Sequence, residues 1–278
     1  MGCQTHGVSQ SLEGGLPDSG DLAAEARGLA GHGVLRLRAD NPGPLTLSGT
    51  NTWIVGRNPA YVVDPGPLAG SHIKRLLDAI DARGGLGGIV LTHDHADHAE
   101  AVGALREHDP APLAAGRAGA DVTLTEGRSF GPFEAVATPG HAADHFALIA
   151  GRVCFTGDAV LGEGSVFITP GPGALAGYLA GLERLRQRDL DVLCPGHGPP
   201  VWRPRAKLDQ YIDHRFERER LLLAALAEGR RSVEELLDAA WPDVPAALRP
   251  AAAVTLLAHL DKLEEEDRLP AGVERPSW

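Results

Sequence analysis

Cysteines, aromatic side chains and long apolar runs are all scarce in this sequence. Only three of the 278 residues are cysteine, which excludes a disulfide-stapled scaffold and favours a reducing compartment. Aromatic residues make up 5% of the chain, so extensive stacking platforms for nucleic-acid bases are not expected. No apolar run approaches the roughly 18 residues that a membrane span needs. The sequence therefore predicts a globular protein that does not enter a membrane.

Positive charge is also in the minority. The chain carries 26 lysines and arginines against 37 aspartates and glutamates, which gives a net charge of −11. This balance excludes a protein that simply coats nucleic acid or an anionic membrane, although bound metal ions would still permit an enzyme that acts on nucleic acid. The first 30 residues have neither the basic region nor the apolar core of a secretory signal. We therefore expect a cytoplasmic protein.

The order of strand and helix patterns predicts the fold class. Residues 1–31 are rich in Gly, Ser and Asp, which predicts a mostly disordered segment with a short helix near 21–29. Over 32–203 the strands come in two batches, with helices between and after them. Such an order suits an α/β protein in which two sheets pack face to face with helices outside. Strands are predicted at 33–39, 51–56, 60–64, 88–93, 112–115, 121–124, 133–137, 146–150, 152–157 and 191–194, and helices at 71–83, 97–108 and 174–187.

Residues 204–278 have the character of a separate helical segment. Their second helix begins with a capping box, in which Ser232 is the N-cap and Glu235 stands three residues later. A succession of three helices and a short tail rich in Pro and Gly predicts either a small winged-helix-type module or a helical cap packed on the main domain, and the two interpretations are compatible. The three helices are predicted over 205–228, 232–241 and 246–266.

The strongest chemical signal is the segment LTHDHADH, residues 91–98. It places three histidines and an aspartate within six residues, directly after a predicted strand. Histidines two apart at a strand end point the same way because side chains alternate along a strand. Imidazoles and carboxylates bunched this tightly are an electrostatic liability without a cation, and they are ligand types that zinc prefers. The candidate ligands here are His93, His95, Asp97 and His98.

Three further candidate ligands follow in sequence order, each at the end of a predicted strand. His141 lies in TPGHAADH, Asp158 in FTGDAV and His197 in CPGHGP. Strand ends converge on one rim of a sandwich, so we expect these side chains to meet the first group. Together the histidines and aspartates suffice for two metal ions, and a carboxylate between them offsets the repulsion of two ions about 3.5–4 Å apart.

These motifs, in this order, resemble the metallo-β-lactamase superfamily over residues 33–202. The resemblance implies an αββα sandwich with a small C-terminal winged-helix-like module, and a site that holds two Zn²⁺ ions per chain. It also covers Asp64 in VVDPG. It implies that His93, His95 and His141 bind the first zinc, that Asp97, His98 and His197 bind the second, and that Asp158 bridges them.

A narrower resemblance is to the β-lactamase-like-protein-2 group. It is carried by NPGPLTLSGTNTWIVG (41–56), TGDAVLGEG (156–164) and the YIDHRFERE stretch (211–219), together with the His141 and His197 motifs. The group includes a metal-dependent endoribonuclease that cuts single-stranded RNA, and relatives of similar layout hydrolyse acyl-carrier thioesters. The resemblance therefore implies an endoribonuclease, with an acyl-carrier or CoA thioester hydrolase as the alternative. The Gly- and Pro-rich segment 168–177 is expected near the mouth of the site.

The expected mechanism is hydrolysis by a hydroxide that bridges two metals. Two Lewis acids lower the pKa of a shared water toward about 7, and the hydroxide attacks a carbonyl carbon or a phosphorus. We expect Asp97 to orient the hydroxide and Asp158 to bridge the metals. His145, four residues after His141, is a candidate proton donor to the leaving group, and its alternative is a supporting histidine. No serine or cysteine nucleophile is required.

Two other functions compete with hydrolysis. An iron-dependent redox enzyme on the same fold is less favoured, since diiron relatives usually have Glu at the position of His95. A pure binding protein is disfavoured because no ligand is missing. On the long C-terminal helix, His214, Arg215 and Arg218 are either phosphate contacts or members of ion pairs. Asp94 is interpreted as structural, and the loop of Thr50, Asn51 and Thr52 as support for the floor of the site.

Overall fold

The computed structural model describes residues 19–277. Residues 1–18, which make up most of the predicted disordered segment, lie outside the described residues. Within them, two sheets pack face to face, and their strands appear in the two batches that the sequence predicts. The first sheet runs in the order β1 (Val34–Arg38), β2 (Asn51–Val55), β3 (Ala60–Val63), β4 (Leu86–Val90), β5 (Leu113–Ala115) and β6 (Val122–Thr123). The second runs in the order β11 (Val192–Pro195), β10 (Val153–Gly157), β9 (Phe146–Ala150), β8 (Phe133–Ala137) and β7 (Ser129–Phe130).

The helices lie outside the sheets and at the C-terminal end of the chain. Strands β3 to β6 are mutually parallel, whereas β8, β9 and β10 pair antiparallel. Parallel neighbours need crossover connections; helices supply those from β3 to β4 and from β4 to β5, whereas residues 116–121 join β5 to β6 without a helix. The helices are α1 (Ser19–Gly31), α2 (Gly70–Asp81), α3 (Ala96–Ala99), α4 (Val102–His108), α5 (Ala174–Arg186), α6 (Pro204–Ala227), α7 (Val233–Ala240) and α8 (Arg249–Glu265), with a 3₁₀ turn at Ala246–Leu248.

Three apolar cores hold the layers together. Trp53 from β2 and Phe155 from β10 are fully buried between the two sheets, and their rings meet edge to face at 6.1 Å. Because side chains alternate along a strand, Ile54 of β2 points the other way and packs with Leu76 and Ile80 of α2. The outer face of the second sheet packs likewise against α5 and α6. This succession of helix, sheet, sheet and helix confirms the predicted αββα sandwich.

The helices α6, α7 and α8, with the tail that follows them, form what we call the helical module, residues 204–277. It has an apolar core of its own, which includes Leu222, Leu236 and Leu256. The predicted capping box is present, since the Ser232 hydroxyl accepts from the amide of Glu235 and the Glu235 carboxylate accepts from the amide of Ser232. The module is also attached to the sandwich, because α6 and α8 both contact α5.

The structure corrects several predicted boundaries. The short helix predicted near 21–29 is present as α1, which runs two residues further at each end and buries Leu29 in the core between the sheets. The ring of Trp202 approaches Gly28 so closely that a Cβ there would lie 2.5 Å from it. The helix expected over 97–108 is two helices, α3 and α4. Along the described residues, no helix has the length and apolar character that crossing a bilayer demands.

Candidate metal centre

All seven candidate ligands lie at one rim of the sandwich, five in loops or turns and two in the short helix α3. His93 and His95 follow β4, which ends at Val90 rather than at the histidine as the sequence predicted. Their convergence therefore comes from the loop and not from strand alternation. Asp97 and His98 lie in α3, the short helix that the loop enters. His141 lies in the β8–β9 connection, Asp158 follows β10 and His197 follows β11.

The first group of ligands is a cluster of three imidazoles. The Nδ1 atom of His95 lies 3.0 Å from Nε2 of His93 and 3.0 Å from Nε2 of His141. The ring of His93 is fully buried and that of His141 nearly so, whereas His95 is exposed. Three ring nitrogens that face one another leave a space suited to one cation, and these residues form one of the groups that could hold a metal ion.

The second group is a triangle of one carboxylate and two imidazoles. Asp97 Oδ2, His98 Nε2 and His197 Nε2 lie 3.4 Å from one another on all three sides. Metal–ligand distances near 2.0–2.1 Å in a tetrahedral zinc site place neighbouring ligand atoms about 3.3–3.4 Å apart. The triangle thus has the dimensions of three ligands around one ion.

Asp158 joins the two groups. Its Oδ2 atom lies 3.6 Å from Nε2 of His141 in the first group and 3.2 Å from Nε2 of His197 in the second. Its Oδ1 atom lies 3.7 Å from Nε2 of His98 and has no hydrogen-bond partner among the described residues. A buried carboxylate oxygen without a donor is costly unless a cation satisfies it. This position suits the bridging ligand that the resemblance implied.

The backbone around Asp158 is shaped to leave the space open. A Cβ at Gly196 would lie 2.3 Å from Asp158 Oδ1 and 2.6 Å from the His98 ring. Gly157 has a φ of +47°, a left-handed conformation that turns the chain sharply from β10 into the site. With the converging nitrogens and the unpaired carboxylate oxygen, these features show that the histidine and aspartate clusters fit a metal site.

The electrostatics favour a cation at the same place. Burial opposes ionisation of Asp158, but the neighbouring His98 and His197 outweigh it and hold the pKa of that carboxyl well below its usual range. Burial would lower the pKa of His98, but Asp158 and Asp64 raise it to about 9. Burial lowers the pKa of His141 to about 4. The carboxylates around His98 therefore favour positive charge at this position.

Asp64 contacts His98 on the Nδ1 side of its ring, and Thr92 in turn donates hydrogen bonds to Asp64. Asp64 Oδ2 lies 3.0 Å from Nδ1 of His98, and the carboxylate also accepts hydrogen bonds from the amide and the hydroxyl of Thr92 at 2.8 and 2.7 Å. A carboxylate on the far nitrogen of a ligating histidine fixes its tautomer and makes it a stronger ligand. All three side chains are buried, so the orientation of His98 is set before any ion binds.

The loop before β2 supports the other side of the second group. The Thr50 hydroxyl donates to Asp97 Oδ2 at 2.9 Å, and the side chain of Asn41 bonds both the hydroxyl and the amide of Thr50. Asn51 donates to the carbonyls of Pro195 and Gly198, on either side of His197. The predicted supporting loop therefore contacts the ligands as expected.

His145 is placed as a support rather than as a proton donor. Its Nε2 accepts from the amide of Asp158 at 3.1 Å, and its Nδ1 lies 2.8 Å from the hydroxyl of Thr138. Burial, followed by the neighbouring His141, lowers the pKa of His145 to about 3, so the ring is neutral. With both nitrogens occupied, the contacts favour the alternative in which His145 positions Asp158.

The arginines of α6 do not face the site. Arg215 is 2% exposed and donates to Ser165 and to the carbonyl of Val166. Arg218 donates to the carbonyl of Ala240 and to Asp243. The interpretation of these residues as phosphate contacts is therefore wrong, because packing of α6 against the rest of the chain buries both guanidinium groups.

Phe167 is a wall of the site that the sequence analysis missed. Its ring lies 4.7 Å from the ring of His141, and the neighbouring Thr169 hydroxyl donates to the His141 carbonyl at 2.7 Å. Thr92 and Asn41 were missed as well, although Thr92 directly precedes the histidine motif. Asp94 pairs with Arg117 at 3.0 Å, away from the ligand atoms, as expected of a structural residue.

Comparisons with known proteins agree with this geometry. A family described as "Metallo-beta-lactamase superfamily" matches residues 45–129 and 118–197, and one described as "Beta-lactamase associated winged helix domain" matches residues 232–271. The helical module therefore contains a winged-helix domain as well as being attached to the sandwich.

Relatives resemble the chain over most of its length. A Caenorhabditis elegans protein named "Beta-lactamase-like protein 2 homolog" is 30% identical over 253 residues, which is 83% of each chain. An Aspergillus fumigatus protein named "Atrochrysone carboxyl ACP thioesterase" is 29% identical over 77% of this chain and 75% of its own. A solved beta-lactamase domain protein from Burkholderia ambifaria shares the fold, with a TM-score of 0.73 and 21% identity over 87% of this chain and 90% of its own.

Proposed function

The chain belongs to the metallo-β-lactamase superfamily, and from that premise we propose that it is a di-zinc hydrolase of acyl thioesters. The observation that carries the proposal is the pair of ligand groups joined by Asp158. His93, His95 and His141 would hold one ion, and Asp97, His98 and His197 the other. Two zinc ions bound there would polarise a carbonyl and supply a hydroxide nucleophile near neutral pH.

The residues of the chain then have separate tasks. Asp97 is the least buried carboxylate of the site, and the hydrogen bond from Thr50 fixes the direction of its Oδ2. It is therefore placed to accept a proton from the attacking water. Asp158 stays ionised and lies between the two ligand groups. His145 positions it by accepting a hydrogen bond from the Asp158 amide. Phe167 covers His141 and limits the access of bulk water.

A carbonyl substrate is favoured over RNA by charge and by similarity. The two arginines that were candidate phosphate contacts are buried, and the whole chain carries a net charge of −11. Proteins that bind nucleic acid neutralise phosphates with accessible lysine and arginine. The relative named as a thioesterase supports an acyl thioester as substrate. Single-stranded RNA is the second candidate, because the group that the sequence resembles includes an endoribonuclease, and relatives named as β-lactamase-like protein 2 homologues match 83–85% of the chain, against 77% for the named thioesterase.

The proposal is tested by parallel assays on zinc-loaded protein. Thiol release from acyl-N-acetylcysteamine thioesters and cleavage of a labelled single-stranded RNA are measured for wild type and for Asp158→Ala. We expect thioester hydrolysis that a chelator abolishes, and a loss of roughly a thousandfold in kcat/KM in Asp158→Ala because the variant loses the shared ligand. Asp94→Ala, which removes a carboxylate paired with Arg117 outside the ligand groups, is the matched control and should lose only a few-fold.

Three outcomes contradict the proposal. Cleavage of RNA that depends on Asp158, without thioester hydrolysis, would move the assignment to the endoribonuclease. Thioester hydrolysis that survives both the chelator and Asp158→Ala would separate the activity from the metal centre. Elemental analysis that finds iron rather than zinc in the active protein would favour redox chemistry on the same fold.

A further inference from the structure

An apolar groove lies beside the metal centre, and the proposed function does not yet use it. We call it the α8 groove; it has a volume of about 540 Å³. The loop between β1 and β2 contributes Leu45, and the segment after β10 contributes Phe167. The helical module provides the opposite wall, which includes Val233, Pro250, Ala251 and Val254. A volume of 300–1,000 Å³ is typical of a small-molecule site.

The groove borders the metal centre at one residue, Phe167. Phe167 lines the groove and also packs on His141, with ring centroids 4.7 Å apart. A molecule whose reacting carbonyl lies at the ligand groups can therefore extend along Phe167 into the groove. Leu45, at the other side, is 57% exposed, so its apolar surface faces solvent where a ligand would cover it.

The residue types along α8 explain why a groove exists. Pro250 and Val254 are four residues apart and therefore lie on the same face of α8. Ala251 lies beside them and also lines the groove. Small side chains at Ala251 and Ala253 leave the space that larger residues would fill. The opposite face of α8 carries Leu256, Leu260 and Leu263, which form the core of the module. One face of α8 thus packs in the core of the helical module, while the other face lines the groove.

The charge of the groove selects against an anionic ligand. Arg275 lies at its edge, but its guanidinium already pairs with Asp261 and Glu264. Glu274 is occupied by the amide of Val233 at 3.0 Å. Among the described residues that line the groove there is no lysine or arginine without a carboxylate partner. A phosphate backbone would find no counter-charge there, whereas an apolar chain would need none.

We propose that the α8 groove binds the apolar acyl part of the thioester substrate, so that the helical module selects substrates by acyl length. The proposal rests on the proposed function for the identity of the substrate. Each methylene that the groove buries should raise kcat/KM by about two- to fourfold until the groove is full. The module then contributes specificity to a reaction whose metal ligands all lie in the sandwich.

The test compares chain-length dependence in matched variants. Hydrolysis of acetyl, butyryl, hexanoyl and octanoyl N-acetylcysteamine thioesters is measured for wild type and for Ala251→Trp, which fills the groove. We expect the octanoyl-to-acetyl ratio of kcat/KM to be at least about thirtyfold in wild type and to fall at least tenfold in Ala251→Trp. Ala224→Trp adds the same ring at an exposed position of α6 outside the groove, and it should keep the wild-type ratio.

A binding measurement separates this proposal from the proposed function. Calorimetry with 1-decanol, which is uncharged, reports on the groove even if no thioester is hydrolysed, and wild type should bind decanol at least tenfold more tightly than Ala251→Trp. Binding of this kind without hydrolysis would leave the groove in place and overturn the thioesterase. Val254→Asp places a charge in the groove without filling it, and it should show the same loss if Ala251→Trp fails to fold.

Two results would overturn the groove proposal. The first is an octanoyl-to-acetyl ratio near one in wild type, together with decanol binding that neither variant weakens. The second is a wild-type dimer, measured by light scattering, that Ala251→Trp dissociates without any change in the ratio. That second result would assign the groove to another copy of the chain.

Discussion

The metal centre and the helical module both bury histidine, but the surroundings of these histidines differ. In the centre, Nε2 of His98 lies 3.4 Å from ligand atoms of both Asp97 and His197. In the module, His259 is equally buried, yet neither ring nitrogen has a hydrogen-bond partner among the described residues, and its ring packs edge-on against Trp241 at 5.6 Å. Burial alone therefore does not mark a metal ligand, whereas convergence of several ligand atoms does.

The charges around His98 and His259 are opposite in sign. The carboxylates of Asp64 and Asp158 raise the pKa of His98 to about 9 against the effect of burial, so the centre attracts a cation. Burial lowers the pKa of His259 well below its usual range, and the nearby Arg215 and Lys262 lower it further. The positive charges of Arg215 and Lys262 therefore repel a cation at His259. The carboxylates around His98 attract one.

The largest effect in this comparison is expected when the centre loses a supporting carboxylate. Asp64→Asn keeps the shape of the side chain but removes the charge behind His98, so metal affinity should fall by about 10- to 100-fold. Competition with a chromogenic chelator measures the change. Asp78→Asn, at an exposed position of α2, is the control. Affinity within twofold of wild type would show that His98 does not need its carboxylate partner.

An intermediate effect, on KM, is expected at Thr255, where α8 contacts the segment that carries Phe167. The Thr255 hydroxyl of α8 accepts from the amide of Ile168, next to Phe167. Thr255→Val leaves that buried amide unpaired, at a cost of about 1–3 kcal/mol, and should raise KM for the octanoyl thioester about three- to tenfold without changing metal content. Steady-state kinetics and elemental analysis check this. The exposed Thr125→Val is the control, and a loss of metal instead would place Thr255 in the support of the ligands.

The smallest effect is expected at His259, and it concerns stability alone. The folded state lowers the pKa of His259, so its stabilising contribution is complete above about pH 6.5 and is lost as the pH falls, because the unfolded state takes up a proton that the folded state excludes. His259→Leu should therefore reduce the loss of stability between pH 7.5 and 5.5 by roughly 1 kcal/mol. Urea unfolding at both pH values measures it, and equal losses in both proteins would contradict the interpretation.

The local parts of the site could be predicted from sequence because the chain itself fixes their distances. His93, His95, Asp97 and His98 lie within six residues, so their side chains are close in any compact conformation of the loop. The reason for their convergence was misjudged, since β4 ends at Val90 and the loop turns the rings inward. Gly87 has no apolar side chain, and the pattern therefore placed the start of the strand at Gly88, two residues after its actual start at Leu86.

The sequence by itself determined the αββα order of elements, the ligand types and the capping box of α7, because each depends on short-range spacing. Only the tertiary structure decided which side chains are buried and what they contact. Arg215 meets Val166 across 49 residues, and Thr255 meets Ile168 across 87. Such contacts depend on how α6 and α8 pack on the sandwich, and no local periodicity records that packing. The α8 groove arises in the same way, because Leu45, Phe167 and residues of the helical module, which are far apart in the chain, line it together.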